Sequence, residues 1–371
     1  MPVKEQNTEQ HPMAKVEILE IPQYVQGKSA LPGKETAIKL SSNESSFGPS
    51  PMAIGAFTDM ASQLHRYPDG SQNELREAIA EVYDLDAQKI ICGNGSDEIL
   101  DMIYRSYLEK DDEVILSTNH FVMCSLYARM QAAKIRFARE NSFKTDIDDL
   151  LSLVNAKTRM VTIANPNNPT GTYLSADELR KIHAGLPSSV LFVIDGAYAE
   201  YPVEDDFHTG TDLVDEFDNV IVTRTFSKIY GLAALRIGWA YCPTNVIDVL
   251  QRIRSPFNTN APSMAAAIAA VKDREYIEKV RQHTARWLKT IKSELERLGI
   301  EVVPSAANFY LLNFRQCEGK SAAEASSFLE ENGVIPRPQA PTGDEDILRI
   351  TVGLDKENEA VIRILTDYMQ A

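Results

Sequence analysis

Five short apolar runs constrain this chain more than any other feature, because several are apolar at successive positions. They lie at 89–92, 113–116, 160–164, 190–194 and 220–223. A strand wet on one face alternates apolar with polar residues. Unbroken apolar runs instead predict strands buried on both faces, in a mainly parallel sheet flanked by helices. Helical patterns fall before and between them, over 74–83 after Ser71 and over 175–183, where Ser175 and Glu178 can form a capping box. Alternation of strand and helix predicts an α/β fold.

The texture changes after Ser255-Pro256-Phe257. Residues 273–298 predict one long helix, with Val280, Thr284, Trp287, Leu288, Ile291, Leu295 and Leu298 at helical spacing and Gly299 as its stop. Strands over 309–314 and 347–352, with a helix over 322–331 between them, predict a smaller α+β domain. The expected division is an N-terminal arm and extension (1–36), a large domain (37–256) and a small domain (257–371), with the extension packing on the small one. A chain of 371 residues suits two domains.

Composition narrows the partners. With 44% hydrophobic and 25% charged residues the chain can bury a sizeable core, and a net charge of −15 disfavours nucleic acid and anionic membranes. Four scattered cysteines, without a C-x-x-C pair, suit a reducing compartment and predict neither a disulfide framework nor a metal site. The first fifteen residues lack the apolar core of a signal peptide, and the alanine-rich run 264–271 is too short to span a bilayer. The expectation is a soluble cytoplasmic protein.

In parallel α/β sheets ligands sit beyond the carboxyl ends of the strands. Gly93-Asn94-Gly95-Ser96-Asp97-Glu98 follows the first run and opens a helix, presenting backbone N–H groups to an anion. Taken alone, that turn fits a plain strand-to-helix connection equally well, and it lacks the third glycine of a dinucleotide fingerprint. Asn165-Pro166-Asn167-Asn168-Pro169-Thr170-Gly171 follows the third run, and Asp195 ends the fourth, with Tyr198 three residues on. A carboxylate at the end of an apolar strand needs a cationic partner. Arg224-Thr225-Phe226-Ser227-Lys228 follows the fifth run, with Gly231 and Arg236-Ile237-Gly238 beyond. Thr225 and Ser227 offer hydroxyls to a phosphate, Arg236 offers a guanidinium fork, and Lys228 offers an amine that can act as nucleophile and base. An anion cradle, an amide, a carboxylate, a phenol and a lysine are what pyridoxal 5′-phosphate requires.

These strings resemble the fold-type I aminotransferases, and among them the histidinol-phosphate aminotransferase family. The likeness runs from about residue 39 to 353. It includes Leu40-Ser41-Ser42-Asn43-Glu44, Arg66-Tyr67-Pro68-Asp69-Gly70 and Leu348-Arg349-Ile350-Thr351-Val352-Gly353 as well. The resemblance implies that Lys228 holds the cofactor covalently, Asp195 pairs with its pyridine nitrogen, Asn168 and Tyr198 contact its ring oxygen, and Phe121 stacks on the ring. It implies a phosphate cup of the Ser96 and Asp97 backbone, Thr225, Ser227, Arg236 and Tyr67 of a partner subunit, hence a homodimer with shared sites. Arg349 and Arg337, with Asn168 beside them, would hold the anionic group of the substrate, and Tyr24 would reach over from the other subunit. Lys228, Asp195 and Tyr198 form the implied catalytic set.

Two departures stand out. Gly196 follows Asp195 where the family has Glu, and Ile21-Pro22-Gln23-Tyr24-Val25-Gln26-Gly27 matches the family's Pro-Tyr-Val-Pro-Gly only in part. The implied reaction is transamination of L-histidinol phosphate with 2-oxoglutarate, a step of histidine biosynthesis. An aromatic amino-acid aminotransferase, a threonine-phosphate decarboxylase and a non-catalytic pyridoxal-binding module are the competing readings.

Overall fold

The computed structural model describes residues 14–24, 26–34, 36–338 and 345–371. Residues 1–13 of the expected arm, and Val25 within its partly matching string, lie outside the described residues.

Seven strands form the main sheet: β1 (Ile90–Gly93), β2 (Glu113–Ser117), β3 (Lys134–Ala138), β4 (Thr158–Ala164), β5 (Leu191–Asp195), β6 (Val220–Thr225) and β7 (Gly238–Tyr241). Their spatial order is β1-β7-β6-β5-β4-β2-β3, and all run parallel except β7, which opposes both neighbours. The unbroken apolar runs have a direct cause. Ile90, Ile115, Val161, Phe192 and Val222 enter the core on one face, while Ile91, Val114, Met160, Val193 and Ile221 enter the core on the other.

Two strands were not among the expected runs. β3 is an edge strand with polar, exposed positions such as Lys134 and Arg136, which dilute its apolar signal. β7 begins on a glycine, and its need for one is tertiary: a Cβ at Gly238 would lie 2.5 Å from the Ser96 nitrogen. Because β7 is antiparallel, its first residue stands between Gly93 and Thr225, where β1 and β6 end. Five chain segments carrying the singled-out residues thus meet at one edge of the sheet.

A second sheet of four antiparallel strands, β8 (Glu301–Val303), β9 (Phe309–Asn313), β10 (Arg337–Pro338) and β11 (Ile347–Thr351), has the order β8-β9-β11-β10. Helices Arg274–Glu296, Ala322–Glu331 and Asp355–Gln370 cover it, burying Trp287, Ile291, Leu295, Leu329, Val361 and Leu365 with Tyr310 and Leu348. The long helix is capped by Asp273, whose side chain accepts from the Tyr276 N–H at 3.3 Å, and Gly299 leaves it at φ +84°.

The extension runs along this smaller layer. Ile38–Lys39 pairs in parallel with Val334–Ile335, and Lys28 meets Glu330 at 2.7 Å. Further back, Val16–Leu19 lies against Val122–Met130 of the main layer. Helix Ala261–Lys272, just after the change of texture, buries Met264, Ala266, Ala267, Ala270 and Val271 in a core of the main sheet.

Candidate active site

The anion cradle assembles from three segments. Gly95 (φ +83°) ends the turn after β1, and helix Ser96–Tyr107 starts with Ser96 buried. Arg236, in the left-handed region at φ 50°, swings its guanidinium across: it donates to Ser227 Oγ at 3.1 Å and to Asp97 Oδ2 at 3.2 Å. A Cβ on Gly95 would lie 2.6 Å from Arg236 Nη2, so glycine leaves room for this approach. The Ser227 N–H donates to Thr225 Oγ1 at 3.1 Å. Two hydroxyls, one guanidinium and a helix N-terminus therefore face one another, a set suited to a phosphate dianion.

Asp195, at the end of β5, is almost wholly buried and accepts from Thr223 Oγ1 at 2.9 Å. Burial pushes its carboxyl up to about 6, with the Thr223 hydrogen bond pulling the other way. An acid raised in this way costs folding free energy in its charged form. The cost is absent below the unfolded value of 3.8, grows as pH rises through 6 and stays constant above it. In the cofactor-free protein, Asp195→Asn should therefore raise stability by about 2 kcal/mol at pH 7.5 and by clearly less at pH 5. Urea melts at the two pH values measure this, and an equal or absent gain at both would contradict it.

Gly196 has a local explanation. A Cβ there would come within 2.9 Å of Arg224 Cδ and 3.0 Å of the Thr223 carbonyl oxygen. Arg224 occupies that space fully buried, donating to Glu200 Oε1 from Nη2 at 2.8 Å, with its guanidinium against Tyr83 and Trp239. The carboxylate that balances Arg224 thus comes from position 200.

Lys228 Nζ lies 5.4 Å over the Tyr198 ring and 3.4 Å from the Ser42 carbonyl oxygen. It lines a cavity of about 240 Å³ together with Tyr24, Phe121, Asn168, Tyr198, Arg337 and Arg349. The Tyr198 hydroxyl accepts from Asn43 Nδ2 at 2.9 Å. Asn168 Oδ1 accepts from Arg349 Nη1 at 2.6 Å, and Asn168 lines the cavity.

Arg349 is the electrostatic anomaly. It is 9% exposed, its Nε has no partner, and it makes no ion pair with a carboxylate among the described residues. Among the described residues its polar contacts are the Asn168 oxygen and the Ser41 carbonyl at 3.1 Å, with Phe309 under its face at 5.4 Å. Burial holds it down at about 10, and Arg337 adds to that effect. Arg337 stands directly opposite on the paired strand β10. Like charges face to face across a ladder are unfavourable, and an anion between them reverses the sign.

Three placements differ from a single converging set. The cradle residues Ser96, Asp97, Thr225, Ser227 and Arg236 do not line the Lys228 cavity; the chain joins them through Ser227-Lys228. Tyr67 is 83% exposed, stacked on Phe257 at 4.8 Å, and lines no part of the cavity of its own chain. Tyr24, expected from a second subunit, lines the cavity of its own chain, because its segment follows the smaller layer and brings Gly27 against Arg337. Sequence reasoning did not single out the cavity roles of Ser41, Ser42, Asn43 or His120. The first three lay within a quoted string; His120 carried only its adjacency to Phe121.

The chain belongs to the class I and II aminotransferase family, which it matches over residues 35–365. Among its relatives is the histidinol-phosphate aminotransferase of Rhodopseudomonas palustris (strain BisA53), 46% identical over 354 residues, covering 95% of this chain and 97% of that one. The histidinol-phosphate aminotransferase of Maricaulis maris (strain MCS10) is likewise 46% identical, with coverage of 95% and 98%. The crystal structure of histidinol-phosphate aminotransferase from Sinorhizobium meliloti in complex with pyridoxal 5′-phosphate superposes with a TM-score of 0.88 at 27% identity, over 98% and 99% of the two chains. The two-layer architecture is therefore that of the fold-type I aminotransferases.

Proposed function

We propose that the protein uses pyridoxal 5′-phosphate to transfer the amino group of L-histidinol phosphate to 2-oxoglutarate, giving imidazole-acetol phosphate and L-glutamate. The observation that carries this reading is Arg349, a buried cation with no carboxylate partner among the described residues, in the cavity that also holds Lys228. The relatives that cover nearly the whole chain at 46% identity support the same substrate.

The residues fit the cofactor. Asp195 is a buried carboxylate raised by its burial, as a partner for a protonated pyridine nitrogen can be, and the Arg236 cradle suits the phosphate. When bound, the cofactor supplies an electron sink for bond-breaking at the α-carbon of the substrate. Lys228 would hold it covalently and, once displaced by the substrate amine, would carry the α-proton on Nζ, as general base and acid in turn. Phe121 would stack on the ring, and Tyr198 and Asn168 would hold its oxygen. Arg349 and Arg337 grip the substrate phosphate in one half-reaction and a carboxylate of 2-oxoglutarate in the other, since a guanidinium fork suits both anions. Tyr24 closes the cavity above them.

The kcat/KM for histidinol phosphate should exceed that for phenylalanine by at least about 100-fold. The reverse order would favour an aromatic amino-acid aminotransferase, and carbon dioxide release from threonine phosphate would indicate a decarboxylase.

The working unit of this proposal is a cytoplasmic homodimer. Met52, Ile54, Phe57, Leu64, Tyr67 and Phe257 are all exposed, as a face covered by a second copy would be. Tyr67 then completes the phosphate cradle of its partner. A mixed dimer of one Lys228→Ala chain and one Tyr67→Ala chain should regain about half of the wild-type rate, because one of its two sites is whole. Activity no higher than that of the two parent dimers would rule the shared site out.

A further inference from the structure

β1 stands at the edge of the main sheet, with β7 on one side. On its open side, the last residue before Gly93 is held by a side chain. The Cys92 N–H donates to Gln72 Oε1 at 3.1 Å, and the Cys92 carbonyl accepts from Gln72 Nε2 at 3.1 Å. One glutamine amide thus takes the place of a neighbouring strand. Gln72 is buried and sits in the left-handed region at φ 60°, which a side chain of this size seldom adopts unless its surroundings hold it there.

Asn258 joins this arrangement to the anion cradle. Its Oδ1 accepts from Arg254 Nη1 at 2.8 Å and from Gln72 Nε2 at 3.0 Å. Its Nδ2 donates to Glu98 Oε2 at 2.7 Å and to the Cys92 carbonyl at 3.3 Å. An asparagine amide offers two acceptor lone pairs and two N–H groups, and here all four are engaged. Arg254 settles which way the amide faces, because a guanidinium can only donate. Arg254 is anchored in turn, its Nη2 donating to the Gly70 carbonyl at 2.9 Å. Glu98 carries the effect inward. Its Oε2 also accepts from the Asn94 N–H at 2.6 Å, inside the turn that forms the cradle. A Cβ on Gly93 would come within 3.2 Å of that same oxygen, so the turn wraps closely over this carboxylate. Gln72, Glu98 and Asn258 line no part of the Lys228 cavity.

We propose that Asn258 is a positioning residue for the cofactor phosphate: through Glu98 it fixes the Asn94 peptide, and with it the direction of the Ser96 and Asp97 N–H groups. A helix N-terminus holds an anion when its N–H groups converge on it, and a turn already set in that shape loses less freedom on binding. A turn released from Glu98 therefore loses affinity for the phosphate and keeps its affinity for the ring. The residue type follows from the neighbours. The amide at 258 meets a cation at one end and a carboxylate at the other, whereas an aspartate of the same shape would set two carboxylates in contact. The inference rests on the reading that the cofactor phosphate sits at this turn. It does not depend on which amino donor the enzyme uses.

The test compares pyridoxal 5′-phosphate with pyridoxal, which lacks the phosphate. Each is titrated into the full-length enzyme stripped of cofactor, with Lys228→Ala as the blank for nonspecific attachment. Asn258→Asp should weaken binding of the phosphorylated form at least about tenfold, the loss expected for one hydrogen bond to a charged group, and change that of pyridoxal by less than about twofold. Asn258→Ala, which removes the amide without adding a charge, should show the same split at about threefold or more, and it carries the test if the aspartate variant fails to fold. Arg236→Met, which strips the cradle itself, should also lower affinity for the phosphorylated form alone. Equal losses for both ligands in the Asn258 variants would make Asn258 a residue of the fold only, and no loss for either would leave it without a role; each overturns the proposal. If Arg236→Met left the preference for the phosphorylated form intact, the phosphate would sit elsewhere, and the cradle and the positioning role would fall together.

Discussion

Replacement of Lys228 by alanine should lower transamination by more than about 10⁴-fold, the upper range for loss of one positioned acid–base group. The fold should survive. Among the described residues Lys228 makes one long polar contact, 3.4 Å to the Ser42 carbonyl, and rests over the Tyr198 ring. None of the core clusters includes it. Thermal melting of the cofactor-free variant should therefore match wild type, while borohydride trapping of the cofactor on the peptide carrying position 228 should vanish. Near-normal turnover by the variant would remove the chemical basis of the assignment.

Arg349→Met should show activity and stability moving in opposite directions. Loss of the guanidinium should reduce kcat/KM for both the amino donor and 2-oxoglutarate by roughly 10²–10⁴-fold, as for truncating one partner of a buried, hydrogen-bonded charge pair. The cofactor-free protein should at the same time become more stable by about 1–3 kcal/mol, because the side chain it loses is a buried charge without an opposite charge. Steady-state rates and denaturant melts on the same preparation test both halves. Loss of stability along with activity would make Arg349 a structural residue, held by Asn168 and Ser41 for the sake of the fold.

These two residues also differ in how visible they were in the sequence. Lys228 follows an apolar strand and sits in a hydroxyl-rich turn, so local pattern alone brings it to the edge of a sheet. Arg349 lies within a short strand of the smaller layer, and its motif said nothing of its surroundings. That it faces Arg337 follows from the pairing of β10 with β11, and that it meets Asn168 requires the two layers to touch. Tyr24 shows the same limit. Its string was visible, but the side of the molecule on which it would arrive depended on Lys28 meeting Glu330 and on the Ile38–Lys39 pairing.

Helix Ala322–Glu331 and the Ser175 capping box were readable because they depend on contacts within one turn of chain, where residue type and spacing are the physics. The five apolar runs were readable because burial on both faces leaves a compositional mark. Strand β7 was not, since it pairs with residues far away and its opening glycine is required by the Ser96 backbone, about 140 positions earlier in the chain. Local periodicity and the chemistry carried in each turn were thus set by the order of residues. Which turns share an edge, which arginines confront each other and which carboxylate balances Arg224 were decided only when distant segments packed, because charge and steric exclusion act through space and leave no period along the chain.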